Sequence, residues 1–290
     1  MTSQPAPPRI FDRNLLHRRL RRAIARGAPD FLLARAADDL LDRLLTVKRA
    51  FPRSLDLGAP ANHFSQAIVA SGRAAPLRAS RHGGDVIADE EALPFAPASF
   101  DLVVSGMALQ WVNDLPGVFS QVRRILAPDG LFLACLPGGA SLVELRVALA
   151  QAEEELTGGA SPRVSPFVDV RDMGGLLQRA GFALPVTDVD SFALRYDSVL
   201  ALMRDLRAMG AASVLAQRSS RPLRRDVLAR TAEIYAQRFS DPDGRVRATF
   251  EIIWLSGWAP HESQQKPARP GSATVRLEDA MKAARGDPEG

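Results

Sequence analysis

The segment Ser54-Leu55-Asp56-Leu57-Gly58 joins a short apolar run to an acid and a glycine. A nucleotide-cofactor loop starts this way: glycine lets the backbone come close to a ligand, and a carboxylate accepts from hydroxyl or amine groups. The continuation departs from that pattern. Ala59-Pro60-Ala61-Asn62 stands where two more glycines would keep the loop open. Proline fixes φ and removes a donor, and asparagine adds bulk although it tolerates left-handed backbone. No Asp or Glu occurs between Asp56 and Asp85, so the next strand region, Ala75-Pro76-Leu77-Arg78-Ala79-Ser80-Arg81, brings no carboxylate to a ribose. Losing one charge-assisted hydrogen bond costs about 1.5–3 kcal/mol, or roughly ten- to a hundredfold in affinity. A cofactor held by this loop is therefore expected to bind weakly.

Other chemistry-bearing residues are sparse. The histidines, His17, His63, His82 and His261, are scattered with no metal-ligand spacing, so no metal site is expected. Cys135 is the single cysteine, which excludes an internal disulfide and any multi-cysteine metal centre. It sits within Leu131-Phe132-Leu133-Ala134-Cys135-Leu136, where a buried strand thiol is expected rather than a nucleophile.

The elements that must position these residues alternate. Leu33, Ala36, Leu40, Leu41, Leu44 and Leu45 recur at helical spacing, and Pro52 is expected to end that helix. Strands are expected at 55–57, 86–88, 102–105 and 131–136, and helices at 64–70 and 118–126, with a turn at Pro128-Asp129-Gly130. The unbroken apolar runs suit strands covered on both faces. Such alternation predicts a doubly wound α/β sheet with its ligand at the carboxyl ends of the strands. Beyond Pro137-Gly138-Gly139 helices are expected at 142–156, 173–180, 199–209 and 227–239, with strands at 186–196 and 249–255. We read three regions: an N-terminal helical extension (1–50), an α/β domain with a helical insertion (51–266) and a flexible tail (267–290).

With 290 residues, 46% hydrophobic and 24% charged, the chain can bury a full core and has the composition of a soluble globular protein. No run approaches the roughly 18 apolar residues of a membrane span. The net charge of +4 is modest, yet Arg9, Arg13, Arg18, Arg19, Arg21, Arg22 and Arg26 face only Asp12 near the N-terminus. This segment is read as a solvated helix able to attract an acidic protein partner, with no nucleic-acid role. No secretory signal is visible, and a cytoplasmic location is the default expectation.

Two segments carry a resemblance to S-adenosylmethionine (SAM) dependent methyltransferases of class I: Ser54–Gly58, and Val86-Ile87-Ala88-Asp89-Glu90-Glu91-Ala92-Leu93-Pro94-Phe95 followed by Phe100-Asp101-Leu102-Val103-Val104-Ser105. The resemblance implies a Rossmann-like sheet in which Asp56, Gly58, Asp89 and Glu90 face SAM, Asp89 meeting the adenine amine. It also implies that Gln110, Trp111, Asn113 and Arg146 face the substrate.

A narrower resemblance covers roughly residues 10–273. Phe11-Asp12-Arg13, Leu109-Gln110-Trp111-Val112-Asn113-Asp114-Leu115-Pro116, Glu144-Leu145-Arg146, Ser165-Pro166-Phe167, Asp205-Leu206-Arg207-Ala208-Met209-Gly210 and Gly257-Trp258-Ala259-Pro260-His261-Glu262-Ser263-Gln264 resemble the complex I assembly factor 5 family. It implies a protein that modifies a respiratory NADH dehydrogenase subunit by arginine hydroxylation or methyl transfer, or chaperones it without catalysis. The chain also resembles the malonyl-acyl-carrier-protein O-methyltransferase of biotin synthesis in Asn113–Pro116 and in the 205–210 helix. That relative lacks the His261–Gln264 motif.

Overall fold

Apolar runs without polar alternation become the middle of a single sheet in the computed structural model, which describes residues 9–219 and 221–265. The six strands among them are β1 (Ser54–Leu57), β2 (Leu77–Ala79), β3 (Phe100–Gly106), β4 (Leu126–Pro137), β5 (Ala183–Tyr196) and β6 (Val246–Trp258). Their order is β2-β1-β3-β4-β6-β5. The first four run parallel, while β6 inserts antiparallel between β4 and β5. This is the doubly wound, Rossmann-like sheet expected from the alternation.

Successive side chains leave a strand on opposite faces. Val103, Phe132 and Ala134 therefore join one core, with helices α4 (Leu115–Ile125) and α6 (Val170–Arg179) supplying Val118, Phe119, Met173 and Leu177. Leu102, Val104, Leu131 and Leu133 join the other, against α2 (Phe31–Leu45) and α3 (His63–Ala70). Cys135 lies fully buried in this second core, where burial pushes its thiol up to about 12. A third core packs α5 (Val143–Thr157), α7 (Val199–Ala208) and α8 (Arg225–Phe239) against β6. The helical insertion is thus split, with α5 and α6 before β5 and the α7–α8 pair between β5 and β6.

The N-terminal segment is sewn down at its start, while Arg18, Arg21 and Arg22 of the helix that follows, and Arg26 at its C-cap, stay exposed to solvent. Phe11 bridges Leu215, the Asp12 N–H donates to the Val214 carbonyl at 2.8 Å and the Ala216 N–H to the Ile10 carbonyl at 2.8 Å. Helix α1 (Arg13–Ala25) then starts under an Asp12 cap that accepts from the Leu15 N–H. Arg19 donates to the Ala212 and Ser213 carbonyls, so it is a packing contact and not a free rim charge.

Three expectations change. Helix α2 ends at Leu45, well before Pro52, because the Thr46 hydroxyl folds back onto the Arg43 carbonyl. The strand expected at Val86–Ala88 is reduced to one bridge, Ala79 to Val86. Gly83 and Gly84, at φ +127° and +143°, turn the chain back so that the Asp85 and Val86 N–H groups both donate to the Arg78 carbonyl, and the acids beyond leave the sheet edge. The turn expected at Pro128–Gly130 is a bulge inside β4: Phe100 faces Leu126 but Leu102 faces Leu131, with Asp129 at φ +60°.

One compact unit ends at Pro260, and a second begins at His261. In the latter, His261 Nδ1 lies 2.7 Å from the Ser263 hydroxyl and its N–H donates to the Gln264 side chain. The tail expected from residue 267 lies outside the described residues.

Gly106 closes β3 against Phe64. A Cβ built there would lie 2.1 Å from the Phe64 ring, inside a fully buried core. Gly106→Ala should therefore cost roughly 1–3 kcal/mol through overpacking. Urea unfolding checks this, and an unchanged midpoint would mean that the Phe64 ring moves aside without penalty.

Candidate functional site

The carboxyl ends of parallel strands gather groups that no strand can satisfy, and here they open into a cavity of about 320 Å³. That lies within the roughly 300–1,000 Å³ typical of small-molecule sites. Gly58 after β1, Met107 after β3 and Pro137 at the end of β4 form its floor, while α1 contributes Arg13, Leu16, His17 and Leu20 to its wall. Two wall residues carry strained backbone. Met107 at φ +52° and Leu142 at φ +56° are held by bonds to the Cys135 and Thr249 carbonyls, both 2.8 Å. Left-handed non-glycine residues gather where function constrains the chain.

The electrostatic centre is Arg13. Its guanidinium meets Asp89 at 2.6 Å and Glu91 at 2.7 Å, and makes a short bond to Glu90. Its side chain is only 11% exposed and that of Glu90 only 6%. Burial works against the Arg13 charge, yet Glu90 and Asp89 outweigh it and raise its pKa. Burial also raises Glu90, which Arg13 only partly counters. Asp89 is pushed up by burial but ends below the usual carboxylate value, because the Glu91 N–H and Arg13 stabilise its charge. Arg81 adds a second cation to Asp89 at 2.9 Å.

His17 and His82 complete the wall. His17 Nδ1 lies 3.1 Å from His82 Nε2, and both rings are pushed down to about 4, chiefly by burial and then by neighbouring positive charge. Both are neutral at neutral pH, and His17 Nε2 is buried without a partner. Sequence reasoning treated the histidines as scattered. This pair spans 65 residues, and no local pattern marks it. Among the described residues no group of three or more His, Cys, Asp or Glu could hold a metal ion.

The residues expected to face a cofactor divide. Gly58 and Glu90 line the cavity, with Glu90 folded over the glycine: a Cβ on Gly58 would lie 2.8 Å from Glu90 Cγ. Asp89 stands beside the cavity, committed to Arg13 and Arg81. Asp56 is buried under Ser65, whose hydroxyl donates to it, with Arg78 Nε at 3.8 Å. The residues expected to face a substrate divide as well. Gln110 and Trp111 line the cavity, and Trp111 also packs edge-on against Phe11 at 5.7 Å. Asn113 instead tethers the N-terminal segment, accepting from the Ile10 and Phe11 N–H groups at 2.8 Å. Arg146 lies in a second cavity of about 780 Å³ and donates to the Gly139 and Ser141 carbonyls.

The sheet order, the glycine turn after β1 and the acids beside it define a class I SAM-dependent methyltransferase scaffold. A family model described as "Methyltransferase domain" matches residues 62–134. The crystal structure of the YcgJ protein of Bacillus subtilis superposes with a TM-score of 0.51 at 16% identity, covering 77% of this chain and 99% of that one, which supports the fold. The "Arginine-hydroxylase NDUFAF5, mitochondrial" of Danio rerio is 38% identical over 94% of this chain and 90% of its own length. The "Malonyl-[acyl-carrier protein] O-methyltransferase" of a Methylovorus species is 37% identical over 83% of this chain and 88% of its own. The chain belongs to the family of the arginine-hydroxylase NDUFAF5 proteins, to which the malonyl-carrier-protein O-methyltransferases are related. The Danio rerio protein and its human, rat and mouse counterparts are all named mitochondrial, which overturns the cytoplasmic location expected from the missing signal segment.

SAM fits this scaffold only in part. The cavity and Gly58 suit it, but β2 leads to Ser80, Arg81 and His82 where a ribose carboxylate would stand, and Arg13 neutralises the remaining acids. Calorimetric titration should give a dissociation constant weaker than about 1 µM, and submicromolar binding would show that Arg13 yields the site readily.

Burial raises Asp56 from 3.8 to about 6, against the Ser65 bond and Arg78. An acid with a raised folded pKa binds its proton more tightly folded than unfolded, so its contribution makes stability fall as pH rises through this interval. Asp56→Asn should thus match the wild type near about pH 4 and gain melting temperature over it up to about pH 7. A melt series across pH checks this, and a difference independent of pH would place the charge elsewhere.

Proposed function

We propose that this protein acts on an arginine side chain of a protein client, a subunit of a respiratory NADH dehydrogenase, during assembly of that enzyme. One observation carries the reading. A cavity at the cofactor end of a methyltransferase scaffold has in its wall Glu90 and Arg13, whose guanidinium is engaged by Glu90 and by Asp89 and Glu91 beside the cavity, in a chain 38% identical to an arginine-hydroxylase over 94% of its length. A planar guanidinium fork pairs with carboxylates in a geometry an ammonium does not reproduce. The β2 end, bare of acids, favours this reading over methyl donation.

The second reading is carboxyl O-methyl transfer to an acyl-carrier-protein thioester, favoured by 37% identity over 83% of the chain. It requires SAM in a cavity where Arg13 already neutralises Glu90 and the acids beside it. Chaperoning without catalysis is the third, and mass spectrometry of the client separates it from the first: modification adds one oxygen atom to an arginine, whereas chaperoning leaves the mass unchanged.

Deleting the gene should lower membrane NADH oxidation and leave growth without biotin intact. Biotin auxotrophy with normal NADH oxidation would reverse the order of the first two readings.

A further inference from the structure

Arg13 is unusual in how it is held. A charge buried beside three acids is expected to satisfy every donor, yet Arg13 Nε is buried with no partner while the other two guanidinium nitrogens carry all the contacts. Four further polar atoms on residues lining the same cavity lack partners: His17 Nε2, on a residue only 7% exposed, His63 Nδ1, His82 Nδ1 and Gln110 Oε1. A site built solely to anchor α1 would not leave buried donors and acceptors unmatched, because each costs about 1–3 kcal/mol. Leu16, Leu20, Met107 and Trp111 add apolar surface to the wall, which suits the methylene stem of a long charged side chain.

We propose that Asp89, Glu90 and Glu91 form the receptor for the client's guanidinium, and that Arg13 occupies it as an internal stand-in until a client arginine displaces it. This deepens the proposed function and rests on its reading of the client residue.

The charge balance dictates what can replace Arg13. Three carboxylates face Arg13 and Arg81, so withdrawing Arg13 leaves the buried Glu90 and the partly exposed Glu91 without their cation. Removing one partner of a buried pair is strongly unfavourable, so the site accepts another cation and rejects a neutral isostere. The fork selects guanidinium over ammonium. The strap carrying Arg13 keeps its own anchors when the side chain moves. It is held by the Asn113 side chain and by backbone bonds to residues 214 and 216, and Arg13 lies in the first turn of α1, where a change of rotamer withdraws it without unwinding the helix.

The test is calorimetric titration of the full chain with the blocked peptide Gly-Gly-Arg-Gly-Gly and with its citrulline counterpart, which is similar in shape but neutral. Arg13→Gln should bind the arginine peptide at least about tenfold more tightly than the wild type, and neither protein should bind the citrulline peptide. Adding Glu90→Gln should abolish the gain. Arg13→Lys keeps a cation against the acids and hence the fold, but lacks the fork. It should show a smaller gain, and it carries the test if Arg13→Gln does not fold. Absence of any gain in both variants overturns the receptor and leaves Arg13 as a helix anchor. Complementation of the deletion strain separates the two possible failures. If the wild-type gene restores NADH oxidation while neither variant gains peptide affinity, the receptor falls and the client reading stands. If the affinity gain is present while the deletion strain oxidises NADH normally, the receptor stands and the client reading falls.

Discussion

The contact between Arg13 and the acids Asp89, Glu90 and Glu91 is the interaction on which the rest of the site depends. It ties the start of α1 to the loop after β2, sets the protonation balance of Glu90 and closes one side of the cavity. Ion pairs at the surface contribute little, but one this buried cannot lose a partner cheaply. The N-terminal segment, the Asn113 tether and the strand ends therefore form one mechanical unit.

That unit explains how a methyltransferase scaffold comes to have a different character at its mouth. In a dinucleotide-type site, glycine opens space and carboxylates wait for ribose and base. Here Gly58 keeps the space, yet Glu90 folds across it, and the chain after β2 supplies Arg81 and His82. The sheet is retained because its core is indifferent to the change: both faces bury the same alternating leucines, valines and phenylalanines whatever the loops carry. Function shifts at the strand-end loops, which together with α1 bring the charged groups to the cavity.

The strained backbone at Met107 and Leu142 belongs to the same arrangement. Each residue ends or precedes an element of the sheet-and-insertion framework, and each is pinned by a backbone bond to a neighbouring strand. A rigid sheet can hold such residues in a costly conformation at the cavity wall, where a free loop would relax.

Periodicity and composition alone determined the alternation of strand and helix, the two-faced burial of β3 and β4, the inert burial of Cys135 and the missing acid after β2. These are local properties, since side-chain spacing follows backbone geometry within a few residues. The interruption at Pro60 and Asn62 was equally plain in the sequence. Tertiary structure decided the rest. Arg13 lies 76 and 77 residues from Asp89 and Glu90, and His17 lies 65 from His82, so neither pairing leaves a local trace. The resemblance implied that Asn113 and Arg146 face a substrate, but the Asn113 side chain holds the N-terminal segment, and Arg146 lines a separate cavity. The short run at Val86–Ala88 reads as a strand, but the glycine turn before it and the acids after it draw the chain off the sheet edge toward Arg13. Spacing along a chain reports which face a residue occupies, whereas the partner a charge finds depends on which distant segments the fold brings within a few ångströms of it.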